Sequence, residues 1–194
     1  LTERSPIPIR QLDRSHRAAI IAHLLRLPRE DRRLRFGATL DDEAVANYVE
    51  RIDFDRDALF GAFADDLSLA GMAHVAASAA SAEFGVSVVQ DARGRGIGSA
   101  LFARASIFAR THHIRAMFMH CLLENRTMMH IAQKSGMRIV AEAGEADAWL
   151  ALPPAGVATV TEELLAERVG RFDFALKQQA EATRRIVAAL ARAD

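Results

Sequence analysis

Cysteine is almost missing from this chain. Among 194 residues Cys121 stands alone, which leaves no internal disulfide and no cysteine-built zinc site. Lysine is nearly as scarce: only Lys134 and Lys177 contribute to an arginine-dominated set of 25 basic side chains. With the abundant alanine, that bias reads as a GC-rich bacterial genome rather than as chemistry. Net charge is lacking too, because 25 acidic side chains balance the basic ones. A neutral chain has no electrostatic footprint of a general nucleic-acid or membrane-surface binder. No apolar run approaches the roughly 20 residues needed to cross a bilayer. The opening residues, Leu1-Thr2-Glu3-Arg4-Ser5-Pro6, have no apolar core of a secretory signal, so a cytoplasmic location is expected. His112, His113 and His130 are not at ligand spacing with any nearby carboxylates, and no metal is expected.

What is present is an ordinary globular balance, 51% hydrophobic and 26% charged, in a chain long enough for one domain with an appendage. Residues 6–12 alternate as an edge strand, where proline is tolerated. Ser15 is placed to cap a helix with Ile20, His23, Leu24 and Leu27 on one stripe, stopping before Pro28. Residues 29–36 read as a short helix or turn. Asp41 and Asp42 open a further helix that buries Ala44, Val45, Tyr48, Val49 and Ile52. Residues 59–64 and 67–77 are strand-like around an Asp65-Asp66 turn. Residues 76–82, nearly all alanine and serine, read as a flexible connection, after which Glu83 begins a third strand ending at Val89. A helix from about Gly98 to Thr111, a strand over 116–123 and a helix over 127–135 ended by Gly136 follow. Strands starting at Met137 and at Asp147 complete the pattern. Beyond Pro153-Pro154 only helix is predicted, with Thr161 as a cap. There Phe172, Leu176, Gln179, Thr183, Ile186 and Leu190 recur on one face at three- and four-residue spacing. The expected division is residues 1–152 as the domain and 153–194 as a helical extension.

Gly94, Gly96 and Gly98 alternate with Arg93, Arg95 and Ile97 at a predicted strand-to-helix junction. Glycine lets the backbone turn sharply and approach a ligand with no Cβ in the way. The following helix offers unpaired N–H groups and a positive dipole end to an anion, and Arg93 and Arg95 add charge within reach of phosphates. A glycine-rich turn that binds nothing has the same composition, so the cluster alone decides little. Its spacing does exclude two nucleotide folds. A Walker loop ends in Gly-Lys-Ser/Thr, which is missing. A dinucleotide fold needs Gly-x-Gly-x-x-Gly early in a parallel unit, whereas this loop follows several antiparallel-looking strands.

Arg93-Gly94-Arg95-Gly96-Ile97-Gly98 resembles the Arg/Gln-x-x-Gly-x-Gly/Ala motif of the GNAT acetyltransferase superfamily. Asn125, followed after ten residues by Gly136-Met137, is similar to that family's downstream Asn…Gly-Phe element, with Met137 where Phe is usual. The order of elements over 6–152 also fits. The resemblance implies an α+β fold: a three-layer α/β/α domain around a mixed, mostly antiparallel sheet, with the C-terminal helical extension added. It implies acetyl-CoA (coenzyme A) as cofactor. Val88 and Val89 would offer backbone groups to the pantetheine arm, Arg93, Gly94, Arg95, Gly96, Ile97 and Gly98 would hold the pyrophosphate, and Asn125 would contact the arm. It implies direct acetyl transfer to a primary amine, either a protein lysine or a small amine. That reaction needs a neutral nucleophile, a polarised thioester carbonyl and a proton for the departing thiolate. A non-catalytic module that senses acyl-CoA is the alternative. A scaffold dimerising through its tail, with the loop incidental, is a third.

Glu83, in Ala82-Glu83-Phe84-Gly85-Val86-Ser87-Val88-Val89, resembles the strand glutamate of bacterial GNAT protein-lysine acetyltransferases, where it is proposed as general base. Arg33-Leu34-Arg35-Phe36 is similar to the same subgroup. An exposed carboxylate without a role is the competing reading. The general-acid tyrosine common in the family aligns with Ala132, and Tyr48, the only tyrosine, is read as core. His120 and Cys121 are strand neighbours and point to opposite faces, which argues against a nucleophile pair. His120 is expected to be a hydrogen-bonded structural histidine, Cys121 core and Glu124 a solvated loop carboxylate. The apolar stripe of the extension must bury against something: a second copy in a homodimer, the acceptor cleft or its own domain.

Overall fold

The computed structural model describes residues 6–192; the opening segment read for a secretory signal, residues 1–5, lies outside them. Seven strands form one sheet in the order β1-β2-β3-β4-β5-β7-β6. They are β1 (Arg10–Leu12), β2 (Ala58–Phe63), β3 (Leu69–Ala77), β4 (Ser81–Val88), β5 (Ala116–Leu122), β6 (Arg138–Glu142) and β7 (Glu145–Ala151). Every neighbouring pair is antiparallel except β4 with β5. Short turns suffice for β2–β3–β4, but a parallel pair needs a crossover. Helix α4 (Ile97–Thr111) supplies it, and the expected mixed, mostly antiparallel sheet is what forms.

Alternation of side chains along β4 assigns the two helical layers. Phe84 meets Phe102 of α4 edge-on at 5.1 Å, and Phe60 of β2 meets Phe108 of the same helix at 5.6 Å. On the opposite face Ser87 bonds His23, and the Arg35 guanidinium fills the place a Cβ on Gly85 would take. Those partners come from α1 (Arg17–Leu25) and α2 (Arg29–Phe36), with α3 (Asp42–Glu50) packed on α1. Helix α5 (Arg126–Lys134) lies beside α4 and β6. A sheet covered on both faces loses its polar alternation, so β2 and most of β3 are buried at successive positions.

The structure corrects several local expectations. Residues 76–82 are no flexible connection: Ala77 pairs with Ala82 and the Ser78 N–H donates to the Ser81 carbonyl at 2.8 Å. Small side chains carry no strand signal of their own, and the ladder on both sides closes a hairpin. Glu83 therefore stands inside β4 and not at its start. The Asp13 carboxylate, not Ser15, caps the first helical turn by accepting the Ser15 N–H at 2.9 Å. Thr161 caps nothing. Its hydroxyl donates to the Val157 carbonyl at 3.0 Å within α6 (Val157–Leu190), a single 34-residue helix.

Helix α6 docks on α4 and β1 through a mixed face of charged side chains, Gly170 and Phe174. Buried Arg104 of α4 reaches Glu163 and Glu167, Lys177 donates to the Phe63 carbonyl and to Asp173, and Phe174 packs on Phe63. The apolar stripe points outward, with Phe172 67%, Leu176 50%, Ile186 62% and Leu190 65% exposed. No helix among the described residues is long and apolar enough to cross a membrane.

Candidate active site

Strands β4 and β5 pair only from Ser81–Ala116 to Glu83–Phe118. Beyond Glu83 they part, while β5 stays paired with β7, so the far half of β4 has no strand partner on that side. The chain then leaves β4 with the Val89 N–H on the Ala70 carbonyl and enters the glycine loop. Gly94 and Gly96 have φ of +74° and +89°, the left-handed region that glycine enters without strain. These two turns aim the chain into α4, with Gly96 as its N-cap. Among the described residues the N–H groups of residues 94–96 have no backbone acceptor. A cavity of about 260 Å³ lies between this loop, the splayed part of β4 and the start of α5. Two helix N-termini meet at it, which suits an anion, and the cradle fits the pyrophosphate expected there.

Of the predicted cofactor residues, Val88, Arg93, Gly98 and Asn125 line that cavity, whereas Val89, Gly94, Arg95, Gly96 and Ile97 do not. The Val88 carbonyl accepts from Arg93 Nε at 3.2 Å, and the same guanidinium pairs with Asp31 of α2. Arg95 is exposed and donates to the Asp91 carbonyl at 3.0 Å. Ile97 is buried against Gly71 of β3 and anchors the loop to the sheet. Gly98 sits in the first turn of α4, close against Ile131 of α5. Asn125 is buried and caps α5: its Oδ1 accepts the Met128 N–H and its Nδ2 donates to the Leu34 carbonyl, both at 3.1 Å. It still lines the cavity, and so does Arg126, which sequence reasoning missed. An arginine at the first position of a helix is a weak signal, unfavourable against the dipole unless an anion joins it.

A second cavity, about 250 Å³, is lined by Arg35, Tyr48, His74, Glu83, Gly85 and His120 among others. A narrow space shares Val86 and Met128 with the first cavity and Glu83, Gly85 and His120 with the second. Arg35 borders all three. His120 is hydrogen-bonded, at 2.8 Å to Asp147, and that carboxylate holds its imidazole above the ordinary value. It faces the cavity nevertheless. Cys121 is buried, and burial pushes its thiol up. Glu124 is not merely solvated but pairs with Arg33 of α2. Ala132 is fully covered, so the position where relatives often carry a tyrosine holds no polar group.

Tyr48 departs from its expected core role. Its hydroxyl is 2.6 Å from His74 Nδ1, Arg35 donates to it at 3.2 Å, and His74 Nε2 is 3.0 Å from Asp57 Oδ2. These residues come from α3, β3, α2 and the segment before β2. No sequence spacing joins them. A histidine in an otherwise apolar strand was the only visible signal.

The profile of the acetyltransferase (GNAT) family matches residues 21–137, more than half of the chain. Similar solved structures include the GNAT domain of S. lividans PAT, 20% identical with a TM-score of 0.64, covering 74% of this chain and 89% of that one. Spermidine N-acetyltransferase from Vibrio cholerae, in complex with CoA and spermine, is 18% identical with a TM-score of 0.61, covering 76% and 96%. The putative acetyltransferase yncA from Salmonella typhimurium, with acetyl-CoA, is 17% identical with a TM-score of 0.58, covering 77% and 95%. A sequence search of curated proteins finds no match. At such identities the structural likeness speaks for the fold, and the family profile speaks for descent. The chain belongs to the acetyltransferase (GNAT) family, N-acetyltransferases whose cofactor is acetyl-CoA.

Proposed function

We propose that this protein transfers an acetyl group from acetyl-CoA directly to a primary amine, on a protein lysine or a small molecule. One observation carries the reading: an anion cradle and a polar cavity lie at opposite ends of one splayed strand, joined beside Gly85 and Val86. Bound acetyl-CoA supplies the activated acyl group. Backbone groups of Val88 and Val89 would receive the pantetheine arm, with Asn125 at its side. The loop from Arg93 through Gly94, Arg95, Gly96 and Ile97 to Gly98 would hold the pyrophosphate. Glu83, exposed at the second cavity, would draw in the acceptor ammonium and take its proton. Glu145 and Asp147, close to His120, add negative charge that suits a cationic acceptor. The spermine in the Vibrio cholerae complex supports a small amine, and the likeness to S. lividans PAT supports no narrower class.

Isothermal calorimetry with acetyl-CoA, followed by thiol release with spermine and lysine-containing peptides, tests this reading. Absence of acetyl-CoA binding overturns it. Binding without thiol release across the panel favours the sensor alternative, which the buried Ala132 also favours. We further assign residues 1–152 to the transferase and 153–194 to an extension that pairs with a second copy. Leu165, Val169, Phe172, Leu176, Gln179, Thr183, Ile186 and Leu190 recur at alternating four- and three-residue steps, the seam of a coiled coil. The seam runs over ~38 Å of helix. Composition and the single cysteine support a bacterial cytoplasmic enzyme.

A further inference from the structure

The hydrogen bonds from Asp57 through His74 to Tyr48 have a readable polarity. Asp57 is 8% exposed and also accepts from Arg56 Nε at 2.9 Å and from the Ala77 N–H at 3.3 Å. Burial works against its carboxylate, but the hydrogen bonds from Arg56 and His74 prevail and hold it below the ordinary range. A charged carboxylate only accepts, so His74 must present Nε2–H to it. Burial holds the His74 imidazole below its ordinary value, against the pull of Asp57, so the ring is neutral at pH 7 and its Nδ1 is a bare lone pair. The Tyr48 hydroxyl is therefore the donor across the 2.6 Å contact. Its remaining lone-pair capacity faces the Arg35 guanidinium and the cavity it lines. A phenol with a neutral base behind its proton and a cation beside its oxygen is set to take a proton from the cavity, not to give one.

We propose that Tyr48 removes the second proton from the acceptor nitrogen and relays its own to His74, with Asp57 as the positioning residue that holds the ring. This rests on the transferase reading above. An ammonium sheds two protons in becoming an amide. Glu83, at the mouth, takes the first. The freed nitrogen lone pair then forms the C–N bond while the C–S bond breaks and its electron pair leaves on sulfur. As the nitrogen turns cationic, its proton passes to Tyr48 Oη and the phenolic proton passes to His74 Nδ1. The imidazolium rests against Asp57 and returns its proton to solvent; the sulfur takes one from water. The groups that bear on the imidazolium are Asp57 and Glu83, which favour it, Arg35, which opposes it, and the Tyr48 hydroxyl.

A purely structural network would pin α3 to the sheet without moving protons, and two measurements separate the cases. Nitrogen NMR of the histidine rings in the full chain is expected to show His74 as the neutral Nε2–H tautomer at pH 7. An Nδ1–H tautomer overturns the proposal, because Tyr48 then has nowhere to send its proton. In thiol-release assays with the best amine of the panel above, Tyr48→Phe is expected to lower kcat about 100-fold. KM and acetyl-CoA affinity should stay within about twofold of wild type, and the fall in rate on the acid side, where His74 gains its proton below the ordinary imidazole value, should disappear. Wild-type kcat in Tyr48→Phe, or an unchanged acid limb, overturns the relay. The two readings fail differently. Without the transferase, acetyl-CoA fails to bind or to turn over in the wild type; without the relay, wild type and Tyr48→Phe transfer alike.

Discussion

Glu83 stands in β4 with its carboxylate open to solvent, between cavity neighbours His74 and His120. That it lies on a strand was readable from the apolar alternation around it, but its place inside the strand and its company were not. Glu83→Gln keeps the shape and removes the proton acceptor. The expected outcome is a kcat lowered about 10- to 100-fold with acetyl-CoA affinity nearly unchanged, and equal turnover in calorimetrically matched samples would remove the role. His23 shows the opposite environment. It is 1% exposed, donating from Nδ1 to the Leu69 carbonyl and accepting at Nε2 from Ser87, both at 2.8 Å. Burial pushes its imidazole from 6.5 down to about 4. The unfolded chain binds this proton below 6.5, and the native chain only near 4. The stability it contributes is thus complete above 6.5 and is lost as pH falls toward 4, about 2 kcal/mol of it by pH 5. Urea unfolding of wild type and His23→Gln at pH 7 and pH 5 should show a smaller pH loss in the variant. Equal losses would assign the pH dependence to other groups.

At the scale of elements, the glycine loop was the most legible part of the chain, because its conformation is set within a few residues. Positive φ at Gly94 and Gly96 and the start of α4 follow from local sterics. Gly96→Val places a branched side chain where φ is +89°, a strain of about 1–3 kcal/mol that distorts the turn into α4. Acetyl-CoA affinity should fall about tenfold or more while the far-ultraviolet circular dichroism stays that of the wild type. Affinity equal to wild type would separate the loop from the cofactor. The hairpin at 78–80 was illegible for a complementary reason. Alanine and serine carry no strong strand signal, and only the pairing of Ala77 with Ala82 makes them extended.

At the scale of the whole molecule, the periodicity of α6 was visible in sequence, but which side it buries was not. Docking through Arg104, Glu163 and Glu167 turns the apolar seam to solvent, and neither cavity beside β4 is lined by α6. Sedimentation of the full chain is expected to give twice its 21.2 kDa mass. Phe172→Glu combined with Leu176→Glu should return it to the monomer without loss of acetyl-CoA binding. A monomeric wild type at micromolar concentration would dismiss the dimer.

By itself, then, the sequence determined what nearest neighbours along the chain decide: the turn at residues 93–98, most of the strand and helix periods, and the family. Tertiary structure alone decided what meets across the fold. Tyr48 and His74 are 26 residues apart, and His74 and Asp57 are 17 apart, on elements whose register is set by packing rather than spacing. Backbone sterics act over a few residues and leave a trace in local composition. A proton relay, or the side a helix turns to solvent, depends on which surfaces the whole chain buries together.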